Sequence, residues 1–304
     1  MAEYLLFHFG APKELFPYDA RHVNPEALEF PKKCASICGE LVHPPKVSPT
    51  PTRVLDIGCA VGGASFHLSK YFDEVVGIDF SQQFVDAANE IKEKGQMPYD
   101  VFTEGTERID LMAKLPTGGG VDPSKCHFFQ GDACDLKPGL TAVAHSKCSH
   151  VIEQFDVILG SNLLCRLPSP RKFLSSLYSL DLNVDADGDG AACKGLLKPY
   201  GYLVLVSPYS WLEEYTAQDQ WMFNAPAGSA SSPTTRSNNS FGALSSYISA
   251  NCNTRVAGLT GPDCVHFGLQ LVERDDVPFL IREHARKYQF GISDLTIWQN
   301  RPLG

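Results

Sequence analysis

The chain has 304 residues, 43% of them hydrophobic and 20% charged, with a formal net charge of −9. Such a length suggests two ordinary domains and a core large enough to need no disulfide support. An acidic balance without any Lys/Arg tract argues against nucleic acid, and no apolar run approaches the roughly 18 residues of a membrane span.

Residues 1–50 carry a helical pattern over 27–41 and read as a cap packed on the domain that follows. From Arg53 onward, short β-branched runs alternate with helical patterns, as in a parallel sheet with helices on both faces. Strands are expected over 53–57 and 75–79, with a helix over 64–72 between them. Ser81 is an N-cap by type, ahead of a helix that repeats Phe84, Ala88 and Ile91 on one face. Strands at 99–103 and 126–130 follow, then a buried strand at 155–160, a helix at 170–180 and a strand at 202–207. Runs at 266–273, 278–283 and 295–299 lie too close together for crossover helices and predict an antiparallel edge. Three stretches break the rhythm, 105–125, 181–194 and 225–242. They read as loop insertions, which leaves one α/β, Rossmann-like domain over 51–304 behind the cap.

The strongest local signal is the strand, glycine turn and helix that begin at Val54. Gly58 and Gly62 permit a tight turn and close backbone approach, with Cys59 between them as a small packing residue inside the cofactor-binding stretch. A dinucleotide fingerprint requires glycine where this chain has Ala60. Asp56 is poorly placed for a phosphate and well placed for an ammonium group. Both facts fit S-adenosylmethionine, an amino-acid head on a nucleoside tail. Asp79 ends the second strand about 20 residues after Gly58, the spacing of an acid that accepts from both ribose hydroxyls, and Phe80 is positioned to lie on the adenine. Asp132, just after a strand, is a candidate acceptor from the adenine amino group. Ala133 beside it and Asn162 at the end of the 155–160 strand complete the cofactor set.

Other signals are weaker. An Asp/Asn-Pro-Pro-Tyr motif is absent after the 155–160 strand, so a nucleic-acid amino methylase is not indicated. The run Asp185-Ala-Asp-Gly-Asp-Gly190 imitates a calcium loop, but its twelfth position is Leu196 rather than a bidentate Glu. His67 reads as structural, and His8 as a packing residue with a slight claim to substrate contact. Residues 207–216 offer Tyr209 and Trp211 for stacking and Glu213 and Glu214 for an ammonium or imidazole N–H; an amphipathic helix start explains them equally well.

Segments 3–10 (with Tyr4-Leu5-Leu6-Phe7-His8), 16–18, 55–62, 131–134, 207–214 and 277–283, with Trp298, resemble one family. It is the C-terminal methyltransferase domain of ovothiol synthases, the mercaptohistidine N-methyltransferases, and the similarity runs the length of the chain outside the three insertions. The resemblance implies methyl transfer from S-adenosylmethionine to an imidazole nitrogen of a thiolated histidine. It implies Tyr209 and Glu213 as the groups that orient the ring and take its proton. Tyr18, Trp211, Glu214 and Arg282 are implied as substrate contacts. Bifunctional relatives carry an iron-dependent sulfoxide synthase half, so a separate synthase is the expected partner. Alternatives are a methyltransferase for another small molecule, or a non-catalytic S-adenosylmethionine-binding partner of a synthase. Ten dispersed cysteines and an N-terminus without a basic region fit reduced thiols and a cytoplasmic enzyme with no metal of its own.

Overall fold

A computed structural model describes residues 1–42, 50–146, 153–179, 181–182, 193–222, 240–255 and 266–303. The run 185–190, most of 181–194 and residues 225–239 lie outside the described residues.

The cap consists of α1 (Ala2–Phe9), α2 (Pro12–Leu15), a 3-10 turn at Pro25–Glu29 and α3 (Phe30–Leu41). Its Leu5, Leu6, Leu15, Phe30, Cys34 and Ile37 enter the same apolar layer as Val54 and Val75 of the sheet, so the cap is part of the core. β1 (Arg53–Ile57), α4 (Gly63–Leu68), β2 (Glu74–Asp79) and α5 (Gln82–Lys94) follow as expected, with α4 shorter than the pattern suggested. Ser81 caps α5 by accepting from the Phe84 N–H. β1 is buried along its whole length because both faces of the sheet are covered. Its side chains alternate: Val54 faces the cap layer, while Leu55 and Ile57 face the other.

β3 (Gln96–Phe102) and β4 (Arg108–Lys114) form a separate antiparallel hairpin. The stretch 105–125 is therefore only partly a loop, because seven of its residues pair with β3 and bury Ala113. β5 (Cys126–Gln130), α6 (Leu136–Ser146), β6 (Phe155–Ser161) and α7 (Pro170–Ser179) come next. The two-residue strands β7 (Asp181–Leu182) and β8 (Cys193–Lys194) bracket the acidic insertion, and β9 (Leu197–Ser207) returns to the sheet. α8 (Ser240–Asn251), β10 (Asn253–Arg255), β11 (His266–His284) and β12 (Lys287–Leu303) close the chain. Among the described residues no helix is long and apolar enough to cross a membrane.

The main sheet has the order β10-β11-β12-β9-β6-β1-β2-β5. Strands β9, β6, β1, β2 and β5 are parallel, and β12 runs antiparallel to β9. The chain moves outward from β1 through β2 to β5, then restarts on the other side at β6. Such a reversal opens a crevice at the carboxyl ends of β1 and β6, where ligands of open α/β sheets bind. The two runs expected at 266–273 and 278–283 are one strand that a bulge at Leu271/Glu273 keeps continuous. Asp294 pairs with Ser207, so residues 287–293 and their partners on β11 overhang the carboxyl end of β9. Phe279 in this overhang packs on Phe30 of the cap, ring centroids 5.6 Å apart.

Candidate active site

The turn after β1 is fixed by its neighbour strand. The Gly58 and Cys59 N–H groups both donate to the Ile78 carbonyl, at 2.7 and 3.1 Å. Gly58 and Gly62 have φ of 75° and 87°, and Ala60 is left-handed too, at 48°. An alanine held there costs roughly 1 kcal/mol, which the surrounding contacts must offset. One such contact is direct: the Ala60 N–H donates to Asp79 Oδ2 at 2.9 Å, while Asp79 Oδ1 accepts from the Ser81 N–H at 2.9 Å. Asp79 thus links the glycine turn to the start of α5, each oxygen keeping further acceptor capacity. Burial raises its pKa, and the two backbone bonds oppose that rise. Phe80, 75% exposed, offers a bare aromatic face beside it.

Left-handed non-glycine residues recur at the neighbouring strand ends. Asn162 follows β6 with φ 51°, and Tyr209 lies just past β9 with φ 49°. Asn162 is held by its N–H to the Val206 carbonyl at 2.7 Å and by Ser293 Oγ donating to its Oδ1 at 2.8 Å. Three such residues at the carboxyl ends of β1, β6 and β9 mark one strained rim. Asp132 closes it on the β5 side, its Oδ1 accepting from the Cys134 N–H at 2.7 Å in a local turn.

α1 completes the site from above. His8 Nδ1 accepts from the Gly63 N–H at 3.2 Å, capping α4 where the glycine turn enters it. An acceptor must be unprotonated, and burial with His67 nearby lowers the His8 pKa to about 4. Tyr4, one turn earlier, packs its ring 4.6 Å from Phe84. Its hydroxyl is pushed up by burial, then by Tyr215 and Asp79, while Arg166 opposes. The Arg166 guanidinium lies over the Tyr215 ring, 5.1 Å from its centroid. None of Tyr4, Arg166 and Tyr215 is assigned a site role by the local sequence, because their placement depends on how the cap crosses the sheet.

Several expected site residues do other work. Asp56 is 1% exposed and accepts from Ser65 Oγ at 2.6 Å; burial raises its pKa to about 6. It is a carboxyl under the turn and does not face a ligand's ammonium. Cys59 is buried with its thiol pushed well up, and Ala133 is part of the apolar layer under α7. Trp211 is buried and donates from Nε1 to Ser240 Oγ at 2.9 Å, so it pins α8 and leaves no face for stacking. The Tyr209 hydroxyl donates to Asp294 Oδ2 at 2.9 Å, and Arg274 Nε donates to Oδ1 at 2.6 Å. Burial and Asp294 push the Tyr209 pKa far up, and its proton is committed to Asp294. Glu213 and Glu214 are exposed, with Glu213 accepting from Gln218. Tyr18 donates to the Ala285 carbonyl at 2.8 Å, and Arg282 Nη1 to the Glu14 carbonyl at 2.6 Å. Both tie the cap to the tip of the β11–β12 hairpin.

The family described as "Methyltransferase domain" matches residues 31–238. No curated protein matches the chain. Among solved structures, the YcgJ protein of Bacillus subtilis is 14% identical, covering 90% of this chain and 99% of its own, with a TM-score of 0.46. A SAM-dependent methyltransferase of Methanosarcina mazei is 16% identical, covering 83% and 93%, with a TM-score of 0.42. Magnesium protoporphyrin IX methyltransferase of Synechocystis, solved with bound SAM, is 14% identical, covering 88% and 78%, with a TM-score of 0.40.

Proposed function

Because the chain belongs to the methyltransferase domain family, we propose that it transfers a methyl group from S-adenosylmethionine to an imidazole nitrogen of a thiolated histidine. The observation that carries the cofactor half is Asp79, held at the end of β2 by the Ala60 and Ser81 N–H groups. A carboxylate fixed by two donors, with lone pairs left over, suits a ribose diol and repels a pyrophosphate. Phe80 supplies an exposed aromatic face and Asp132 an acceptor for the base beyond the ribose. Bound there, S-adenosylmethionine supplies an electrophilic methyl on a positively charged sulfur.

The acceptor half rests on the resemblance of segments 3–10, 207–214 and 277–283 to the mercaptohistidine N-methyltransferases. In the transfer a nitrogen lone pair forms the new N–C bond as the S–C bond breaks and its electrons stay on sulfur. A neutral imidazole nitrogen already carries that lone pair, so no proton has to leave first, and Tyr209, committed to Asp294, is not needed as a base. What the chain contributes is alignment, which can lower such barriers by up to about 7–11 kcal/mol. The strained rim at Ala60, Asn162 and Tyr209 keeps the site preorganised.

An acceptor panel tests the reading. The protein is incubated with S-adenosylmethionine and mercaptohistidine, histidine or unrelated amines and thiols, and products are read by mass spectrometry. Methylated mercaptohistidine with little turnover of the others is expected. Turnover confined to a different acceptor would discard the substrate. Binding of S-adenosylmethionine without turnover on any acceptor would favour a non-catalytic partner of a sulfoxide synthase.

A further inference from the structure

A cavity of about 320 Å³ opens where the end of α1, the 3-10 turn at Pro25–Glu29, the end of α4 and the turn after β4 meet. Among the described residues its charged lining is three lysines, Lys32, Lys70 and Lys114, against one carboxylate, Glu29. Lys32 already holds that carboxylate at 2.7 Å. Lys70 and Lys114 have no ion-pair or side-chain hydrogen-bond partner among the described residues. Two positive charges are thus left uncompensated in a chain whose net charge is −9. Lys70 is half-buried and does not extend into open solvent: a Cβ on Gly119 would stand 3.4 Å from its Nζ, so the ammonium rests against the turn after β4. The Gly119 and Gly120 N–H groups of that turn also have no partner among the described residues. His67 stands between this cavity and a neighbouring one of about 200 Å³ that shares Glu29, Lys32 and Lys70, and its Nδ1 is buried without a partner. Burial, then Lys70 and Lys32, lower its pKa to about 4.

Like charges held around a hollow repel one another, and the low-dielectric wall concentrates their field inside it. A dianion placed there cancels both free charges and meets the unpartnered N–H groups of the turn. We infer that this cavity binds a phosphate group, with Lys70 and Lys114 as its charge partners and the glycine turn at 118–120 supplying backbone donors. An ammonium meets a phosphate as a point charge and needs no fixed fork geometry, which suits two lysines reaching in from different elements. Phe9, Leu28 and Val121 in the same wall favour a phosphate monoester carrying a small apolar group over the free ion. The cavity lies at the opposite end of α4 from the glycine turn after β1, so the inference stands whatever the methyl acceptor is.

Calorimetric titration tests this with inorganic phosphate and phenyl phosphate, at fixed ionic strength in chloride and at about pH 8, where a phosphate monoester is a dianion. The native protein binds both saturably, phenyl phosphate the more tightly. Lys70→Gln weakens phenyl phosphate about 10–100-fold, the range of one charge-assisted hydrogen bond. The double variant Lys70→Gln/Lys114→Gln binds neither anion saturably; both side chains lie outside the apolar layers, so the fold is kept. Lys94→Gln, which removes a lysine paired with Glu90 on the surface of α5, keeps affinity within about twofold of native. No saturable binding of either anion, affinity of Lys70→Gln within about threefold of native, or an equal loss in Lys94→Gln overturns the proposal. Inorganic phosphate binding as tightly as phenyl phosphate, and lost with Lys70, supports the phosphate site and makes the free ion its occupant.

Discussion

Replacing Asp79 is the most informative perturbation of the cofactor site. Its two oxygens accept from different backbone N–H groups, Ala60 and Ser81, each at 2.9 Å. Alanine removes both bonds and the contact to the ribose diol. Asparagine is hardly gentler, because one of its two terminal atoms is an NH2 that must then face a backbone N–H. Hydrogen bonds to a charged group contribute about 1.5–3 kcal/mol each, so loss of two to the ribose weakens binding by roughly 10²–10⁴-fold. Loss of the Ala60 bond also releases a left-handed alanine, and a few kcal/mol of stability goes with it. The assay is titration of S-adenosylmethionine into native protein, Asp79→Ala and Asp79→Asn, with thermal unfolding alongside. Affinity of either variant within threefold of native, in a protein that still unfolds cooperatively, would refute the assignment.

Other expectations follow from the same geometry. Asp56→Asn keeps an acceptor for Ser65 and removes a buried charge, so S-adenosylmethionine affinity stays within about threefold of native; a hundredfold loss in titration would return Asp56 to the ligand. Tyr209→Phe frees Asp294 from one bond but leaves Arg274 on it, so turnover falls less than about tenfold and the pH–rate profile keeps its shape; a lost limb in that profile would restore Tyr209 as an acid or base. The lowered His8 pKa makes stability complete above the unfolded value of 6.5 and lost as pH falls toward about 4. That amounts to at most roughly 3 kcal/mol for this half-buried ring, and His8→Phe in urea titrations at neutral and acid pH removes that part of the acid sensitivity. An unchanged pH slope in His8→Phe would show that the cap at Gly63 is not held by a neutral imidazole.

The parallel strands and the glycine turn were legible because their signals are local. A buried β-branched run, a turn that tolerates positive φ and an acid at the next strand end all stand within short windows. Asp79, Phe80, Asp132 and Asn162 therefore fell at the expected edge. Asp56 did not, since alternation along β1 points it into the cap layer toward Ser65, a partner on the following helix. Trp211 and Tyr209 look like ligand residues by type, and only the positions of α8 and β12 reveal Ser240 and Asp294 as their partners. β4 was hidden because residues 108–114 are mostly exposed, and their pairing with β3 carries no strong apolar alternation. Tyr4 and His8 belong to a cap whose docking over the sheet no local pattern encodes.

The central claim is the destination of the methyl group. With S-adenosylmethionine carrying carbon-13 in its methyl and mercaptohistidine as acceptor, carbon NMR reports where the label settles. The account predicts a single N-methyl signal on the imidazole ring, growing with time and absent without protein. A label found on the acceptor's sulfur, or remaining wholly in S-adenosylmethionine while the protein binds both ligands, would contradict it.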